Sequence, residues 1–116
     1  MICIAISLSS AGAVNSAVAD AAMKGDTAAV RLLVQKKADV NAAQADGATA
    51  IQWAAYRNDL DMADILIAAG AEVKLANRDG ATPLRLAAEN GSARMIGKLL
   101  EAGADANERT PTAKHL

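Results

Sequence analysis

The stretch Asp46-Gly47-Ala48-Thr49-Ala50-Ile51-Gln52-Trp53-Ala54-Ala55 returns 33 positions later as Asp79-Gly80-Ala81-Thr82-Pro83-Leu84-Arg85-Leu86-Ala87-Ala88. The pair Ala21-Ala22 precedes Ala54-Ala55 by the same interval. Further along, Lys37-Ala38-Asp39-Val40-Asn41, Gly70-Ala71-Glu72-Val73-Lys74 and Gly103-Ala104-Asp105-Ala106-Asn107 are spaced identically. A fixed period of this size marks a solenoid, in which one repeat cannot bury its own apolar face and stacking buries it. Each layer touches only its neighbours, and the array presents an extended surface.

Within a repeat, the punctuation predicts two helices. Ser16, Thr49 and Thr82 occupy equivalent positions and are good N-caps, able to accept from an orphaned backbone N–H. Pro83 falls at a first helical position, where its missing N–H costs nothing. Thr49 and Gln52 have capping-box spacing. First helices are expected over 17–23, 50–57 and 83–89. Asp26, Asp59 and Ser92 are again equivalent cap formers, predicting second helices over 27–36, 60–69 and 93–102. Val30, Leu33 and Val34, then Met62, Leu66 and Ile67, then Met95, Leu99 and Leu100 recur at helical spacing. Gly70 and Gly103 follow, where a left-handed residue ends a helix. Lys37 replaces glycine at that point of the first repeat, which predicts a positive φ. Asp20 stands where the other repeats have Trp53 and Leu86. This predicts a repeat-to-repeat core place for Trp53, and a water-facing Asp20 in a terminal capping repeat. The Asp-Gly turn of the first repeat is replaced by Ala13-Val14.

The run Asp79-Gly80-x-Thr82-Pro83-Leu84-x-Leu86-Ala87-Ala88, followed by Asn90-Gly91, Leu99-Leu100 and Gly103-Ala104-Asp105, resembles the ankyrin-repeat pattern. The likeness covers about residues 13–108. Tetratricopeptide arrays have a period of roughly 34 but lack the Thr-Pro-Leu and Gly-Ala-Asp signatures. The resemblance implies an all-α fold, an α-solenoid of three stacked helix-turn-helix repeats joined by β-turn or hairpin-like loops. The repeats would run over about 13–45, 46–78 and 79–108. It also implies a non-catalytic protein–protein interaction module with a concave surface of first helices and turn tips. On that surface the end of the middle first helix offers Tyr56 and Arg57, residue types that are often energetic at interfaces. Met23-Lys24 and Glu89-Asn90 are the matching positions. Turn tips supply a second row: Gln44, Asp46 and Ala48, then Arg78, Asp79 and Ala81. Asp46 and Asp79 are also expected to hold their own turns by side-chain to backbone hydrogen bonds.

Composition narrows the function classes. The 116 residues suit one domain. The apolar 53% contains no Phe, one Trp and one Tyr, so it is mostly small and aliphatic, as close-packed thin layers require. A net charge of −1 with mixed signs argues against nucleic acid, which demands clustered Lys and Arg. No apolar stretch reaches the roughly 18–20 residues of a membrane span. One Cys (Cys3) and one His (His115), at opposite ends, exclude a four-ligand structural zinc site and an intrachain disulfide. They also leave no nucleophile–base constellation, and no cofactor is expected. Gly91, Gly97 and Lys98 are one residue too widely spaced for a phosphate loop, and Leu99 replaces its Ser or Thr. Asp59 and Asp61 read as helix N-terminal charges favoured by the dipole. Asn90-Gly91-Ser92 matches a glycosylation acceptor but falls in a tight inter-helix turn.

The ends read differently. Residues 2–8 are apolar and Ala11-Gly12-Ala13 is a small-x-small pattern, as in a secretory signal without its positive n-region. Residues 1–12 are thus either a signal remnant, implying an exported or periplasmic protein, or an apolar extension of a cytoplasmic one. Residues 109–116 form a tail in which Thr110-Pro111 resembles the opening of a truncated repeat. Lys98 stands where Leu32 and Ile65 stand in the other repeats, while Met95 and Leu100 are expected to leave an apolar face uncovered. The alternative to a binding module is therefore a structural fragment of a longer array, associating through its C-terminal end.

Overall fold

The computed structural model describes residues 16–107. The readings placed on residues 1–15 and 108–116, including Cys3, Ala11-Gly12-Ala13, Ala13-Val14, Thr110-Pro111 and His115, lie outside the described residues. Six helices and no strand occur among the described residues. They are α1 (Ala17–Met23), α2 (Thr27–Gln35), α3 (Ala50–Arg57), α4 (Leu60–Ala68), α5 (Pro83–Glu89) and α6 (Ala93–Glu101). Within each repeat the second helix folds back on the first. Between repeats, α1 packs on α3 and α3 on α5, while α2 packs on α4 and α4 on α6. The result is an all-α solenoid of two helical layers.

The second-helix caps form as expected. Asp26, Asp59 and Ser92 accept from the backbone N–H of Ala29, Met62 and Met95 at 3.0, 3.1 and 3.1 Å. These helices end one residue before the expected limits, because Lys36, Ala69 and Ala102 serve as cap residues whose N–H groups still bond back into the helix. The first-helix caps need correction. Thr82 accepts from Arg85 N at 3.2 Å. Thr49 is buried and its hydroxyl makes no cap bond, and the Ser16 hydroxyl lies 3.4 Å from Asp20 Oδ2 as a donor. Nor does Gln52 close a capping box. Its Nε2 donates to Leu75 O at 2.7 Å, satisfying a carbonyl in the approach to the third repeat, where a buried orphan would be costly.

Lys37 has φ +68°, the left-handed conformation that its alignment with Gly70 and Gly103 demands. Asn58, 33 positions after Gly25 and before Gly91, adopts φ +56°, which Asn tolerates better than most residues. Lys37→Gly is expected to stabilise the chain by on the order of 0.5–1 kcal/mol. Urea unfolding of the variant checks this, and a lowered midpoint would refute it.

The core lies between the layers. Val18, Ala22, Ile51, Ala54, Ala55 and Ala87 of the first helices, with Val30, Met62, Leu66, Met95 and Leu99 of the second, are essentially inaccessible. Alanines at the first-helix contacts bring those helices close. Met95 belongs to this core, contrary to the expectation of an uncovered face, and Leu100 alone of that pair is exposed.

Polar links tie the repeats together. Thr27 Oγ1 donates to Asp59 Oδ2 at 3.2 Å. Asn41 donates to Gly70 O at 3.2 Å and accepts from Glu72 N at 2.7 Å. Lys74, its counterpart one repeat on, has no acceptor to offer. Lys98 pairs with Asp64 at 2.7 Å.

Candidate functional site: a concave cleft

The turn tips are built by their own short-range bonds. Gln44 N donates to Ala48 O at 2.9 Å and Gly47 N to Gln44 O at 2.8 Å. The same pattern recurs at Asn77, Gly80 and Ala81. Asp46 Oδ1 accepts from Ala48 N at 3.1 Å, holding its turn as expected. In the next turn Asn77 supplies the acceptor, its Oδ1 taking Asp79 N and Ala81 N at 2.9 and 3.0 Å. The two tips are stitched by Arg78, whose N–H donates to Asp46 O at 2.8 Å and whose Nη2 donates to Ala45 O at 2.9 Å.

Between these tips and helices α3 and α5 runs an open cleft of about 420 Å³. Asp46, Ala48, Asn77, Asp79 and Ala81 line the tip side; Gln52, Trp53, Tyr56, Arg85, Leu86 and Glu89 line the helix side. The Trp53 and Tyr56 rings meet edge to face, with centroids 5.5 Å apart and planes at 88°, a favoured aromatic geometry. Tyr56 is 58% exposed. Trp53 is half-buried, packed against the core as expected with part of the ring reaching the cleft. Its indole N–H needs an acceptor, and Gln44 Oε1 provides one at 2.8 Å. Gln44 Nε2 in turn donates to Asp20 Oδ1 at 2.8 Å. Asp20 is therefore half-buried and bonded rather than water-facing.

The predicted site residues divide. Asp46, Ala48, Tyr56, Asp79, Ala81 and Glu89 come together around the cleft, with Ala48 and Ala81 buried as wall. The others do not line it. Gln44 orients Trp53. Arg57 lies over Gly25 and donates Nη1 to Met23 O at 3.1 Å. Asn90, 33 positions later, donates Nδ2 to Ala55 O and Tyr56 O, both at 2.9 Å. These two side chains tie each first helix to the carboxyl end of the one before. Arg78 stitches the tips, while Met23 and Lys24 are exposed at the end of α1. Gln52, Asn77, Arg85 and Leu86 join the cleft unforeseen, and Trp53, expected in the core, lines it as well. Among the described residues, no group of three or more His, Cys, Asp or Glu is placed to hold a metal, and no helix is long and apolar enough to cross a membrane.

The chain matches the family model of ankyrin repeats in three copies over residues 18–110. No curated protein matches it. Among solved structures it is similar to the human ASB11 ankyrin repeat domain, with TM-score 0.73 and 30% identity over 79% of this chain and 42% of that one. The chain thus spans less than half the length of that relative.

Proposed function

Because the chain belongs to the ankyrin-repeat family, typically non-enzymatic and generally a source of protein–protein interaction modules, we propose that it binds another protein through the cleft between α3, α5 and the two turn tips. The observation that carries this reading is an exposed Tyr56 set edge-on against a hydrogen-bonded Trp53 in a concave groove. Aromatic anchors in such settings dominate binding energies. The groove is also pre-organised. Gln44 fixes the indole, Asn90 fixes the end of α3, and Arg78 fixes the distance between the tips. Little ordering cost remains to be met on association.

Tyr56→Ala is expected to weaken binding at least about ten-fold, the effect of a hot-spot residue. Its melting temperature should be nearly unchanged, since the ring is mostly exposed. Affinity capture from the native host with the wild-type chain and this variant finds the partner, and titration against that partner checks the magnitude. Unchanged affinity would reject the face. Self-association through the C-terminal end draws support from Leu100 alone, 39% exposed. Sedimentation giving a monomer mass at every concentration would dispose of it.

A further inference from the structure

The charge lining the cleft is one-sided. Asp46, Asp79 and Glu89 set three carboxylates against one guanidinium, Arg85, which is already held by Glu89 at 3.1 Å. The nearby guanidiniums of Arg57 and Arg78 are outside the lining and bonded to carbonyl oxygens. The aromatic pair adds electron-rich ring faces, which attract cations within about 6 Å of the ring centroid. A third observation is independent of charge. Gln52 lines the cleft at 2% exposure, and its Oε1 has no hydrogen-bond partner. A buried acceptor left unmatched is costly; this oxygen has no accessible surface in the free chain, and a donor in the cleft reaches it only when the side chain turns.

We infer that the cleft receives a cationic side chain, arginine before lysine, carried on a segment of the bound protein; this rests on the binding reading above. Arginine presents five N–H donors in a planar fork, pairs with carboxylates through two parallel bonds and stacks on aromatic faces. Lysine brings a compact, strongly hydrated charge. The cleft is larger than one side chain, so flanking residues of the segment would fill the remainder along Leu86 and Ala81. Anionic ligands are disfavoured by the same three carboxylates.

The test uses the whole chain and a displayed library of random linear peptides. Selected sequences are expected to share an arginine. A synthetic peptide from the selection should perturb the fluorescence of Trp53, the single tryptophan. Replacing its arginine by citrulline, which keeps the shape and removes the charge, should weaken binding at least about ten-fold. Added salt should weaken the parent peptide and spare the citrulline form. The double variant Asp79→Asn/Glu89→Gln should lose a similar factor with its melting temperature kept, and the citrulline comparison decides the matter even if that variant folds poorly. Peptides that lack any cation yet perturb Trp53 and are lost with Tyr56→Ala would overturn the cationic assignment and leave the binding reading standing. Peptides held equally by Tyr56→Ala, or no enrichment at all, would overturn both.

Discussion

Leu66→Ala is expected to lower the stability of the chain by about 3 kcal/mol, within the roughly 2–5 kcal/mol spanned by such truncations. Leu66 sits on α4, among the described residues the only second helix flanked on both sides, and none of its surface is accessible. Removing its branched end strips contacts within the middle repeat, and α2 and α6 are each anchored to α4 and to their own first helix. Partial collapse is the best the site can do, so most of the cavity cost persists. In a domain of this size the loss corresponds to a melting temperature lower by more than about 10 °C. Urea unfolding should show a reduced midpoint with an unchanged slope. Leu100→Ala serves as the control, because Leu100 is 39% exposed on α6 and should lose under about 1 kcal/mol. Equal losses at the two positions would contradict a shared core centred on α4.

Gly47→Ala is the second large effect, about 2–3 kcal/mol. Gly47 has φ +86°, and an added Cβ would lie 3.1 Å from Arg78 N and 3.3 Å from Asn77 Cα. These are backbone atoms of the next turn tip, which cannot swing aside. The bond from Arg78 N to Asp46 O is adjacent and would be strained with them. Gly25 provides the contrast. It too is left-handed, at φ +74°, but its Cβ would meet the guanidinium of Arg57, the far end of a flexible side chain whose exposed bond to Met23 O water can replace. Gly25→Ala should therefore cost only about the 1–2 kcal/mol of the backbone conformation. Parallel denaturation curves separate the two, and a larger loss for Gly25→Ala would show that the turn tips yield more readily than the Arg57 contact.

The period made the helix pairs legible because every repeat restates the same local signals. Asp26, Asp59 and Ser92 were readable as caps since donor and acceptor lie three residues apart, and the distant donor Thr27 Oγ1 takes the other oxygen of Asp59. Thr49 and Gln52 carry the same local pattern and do something else. Leu75 O, 23 residues away from Gln52, wins its amide, and no local rule contains that carbonyl. Alignment with Leu86 placed Trp53 in the core, correctly for the ring's apolar body and wrongly for its N–H. The acceptor at Gln44 draws the indole to the edge of the cleft. Arg57 and Asn90 looked like exposed contact residues by type. Their shared register was the available clue, because two polar side chains at one repeat position can each reach the helix end lying one layer back. The acidity of the cleft was invisible along the chain, where Asp46, Asp79 and Glu89 are dispersed, Asp79 beside Arg78 and Glu89 four residues after Arg85, and only stacking gathers them.

Stitches of the same kind join each pair of layers. Thr27, Asn41 and Arg57 fasten the first repeat to the second. Asn90 and the exposed Lys98–Asp64 pair join the helices of the second and third, and Gln52 and Arg78 join the turn tips before them. The cleft straddles that second seam. A segment lodged across it would act as a splint, adding its own grip to whichever layer is readiest to peel away. Anything that holds the folded form and not the unfolded one shifts the balance by its binding free energy. In this chain recognition and cohesion would then be two readings of a single equilibrium, and the third repeat would be most firmly seated when the protein is engaged.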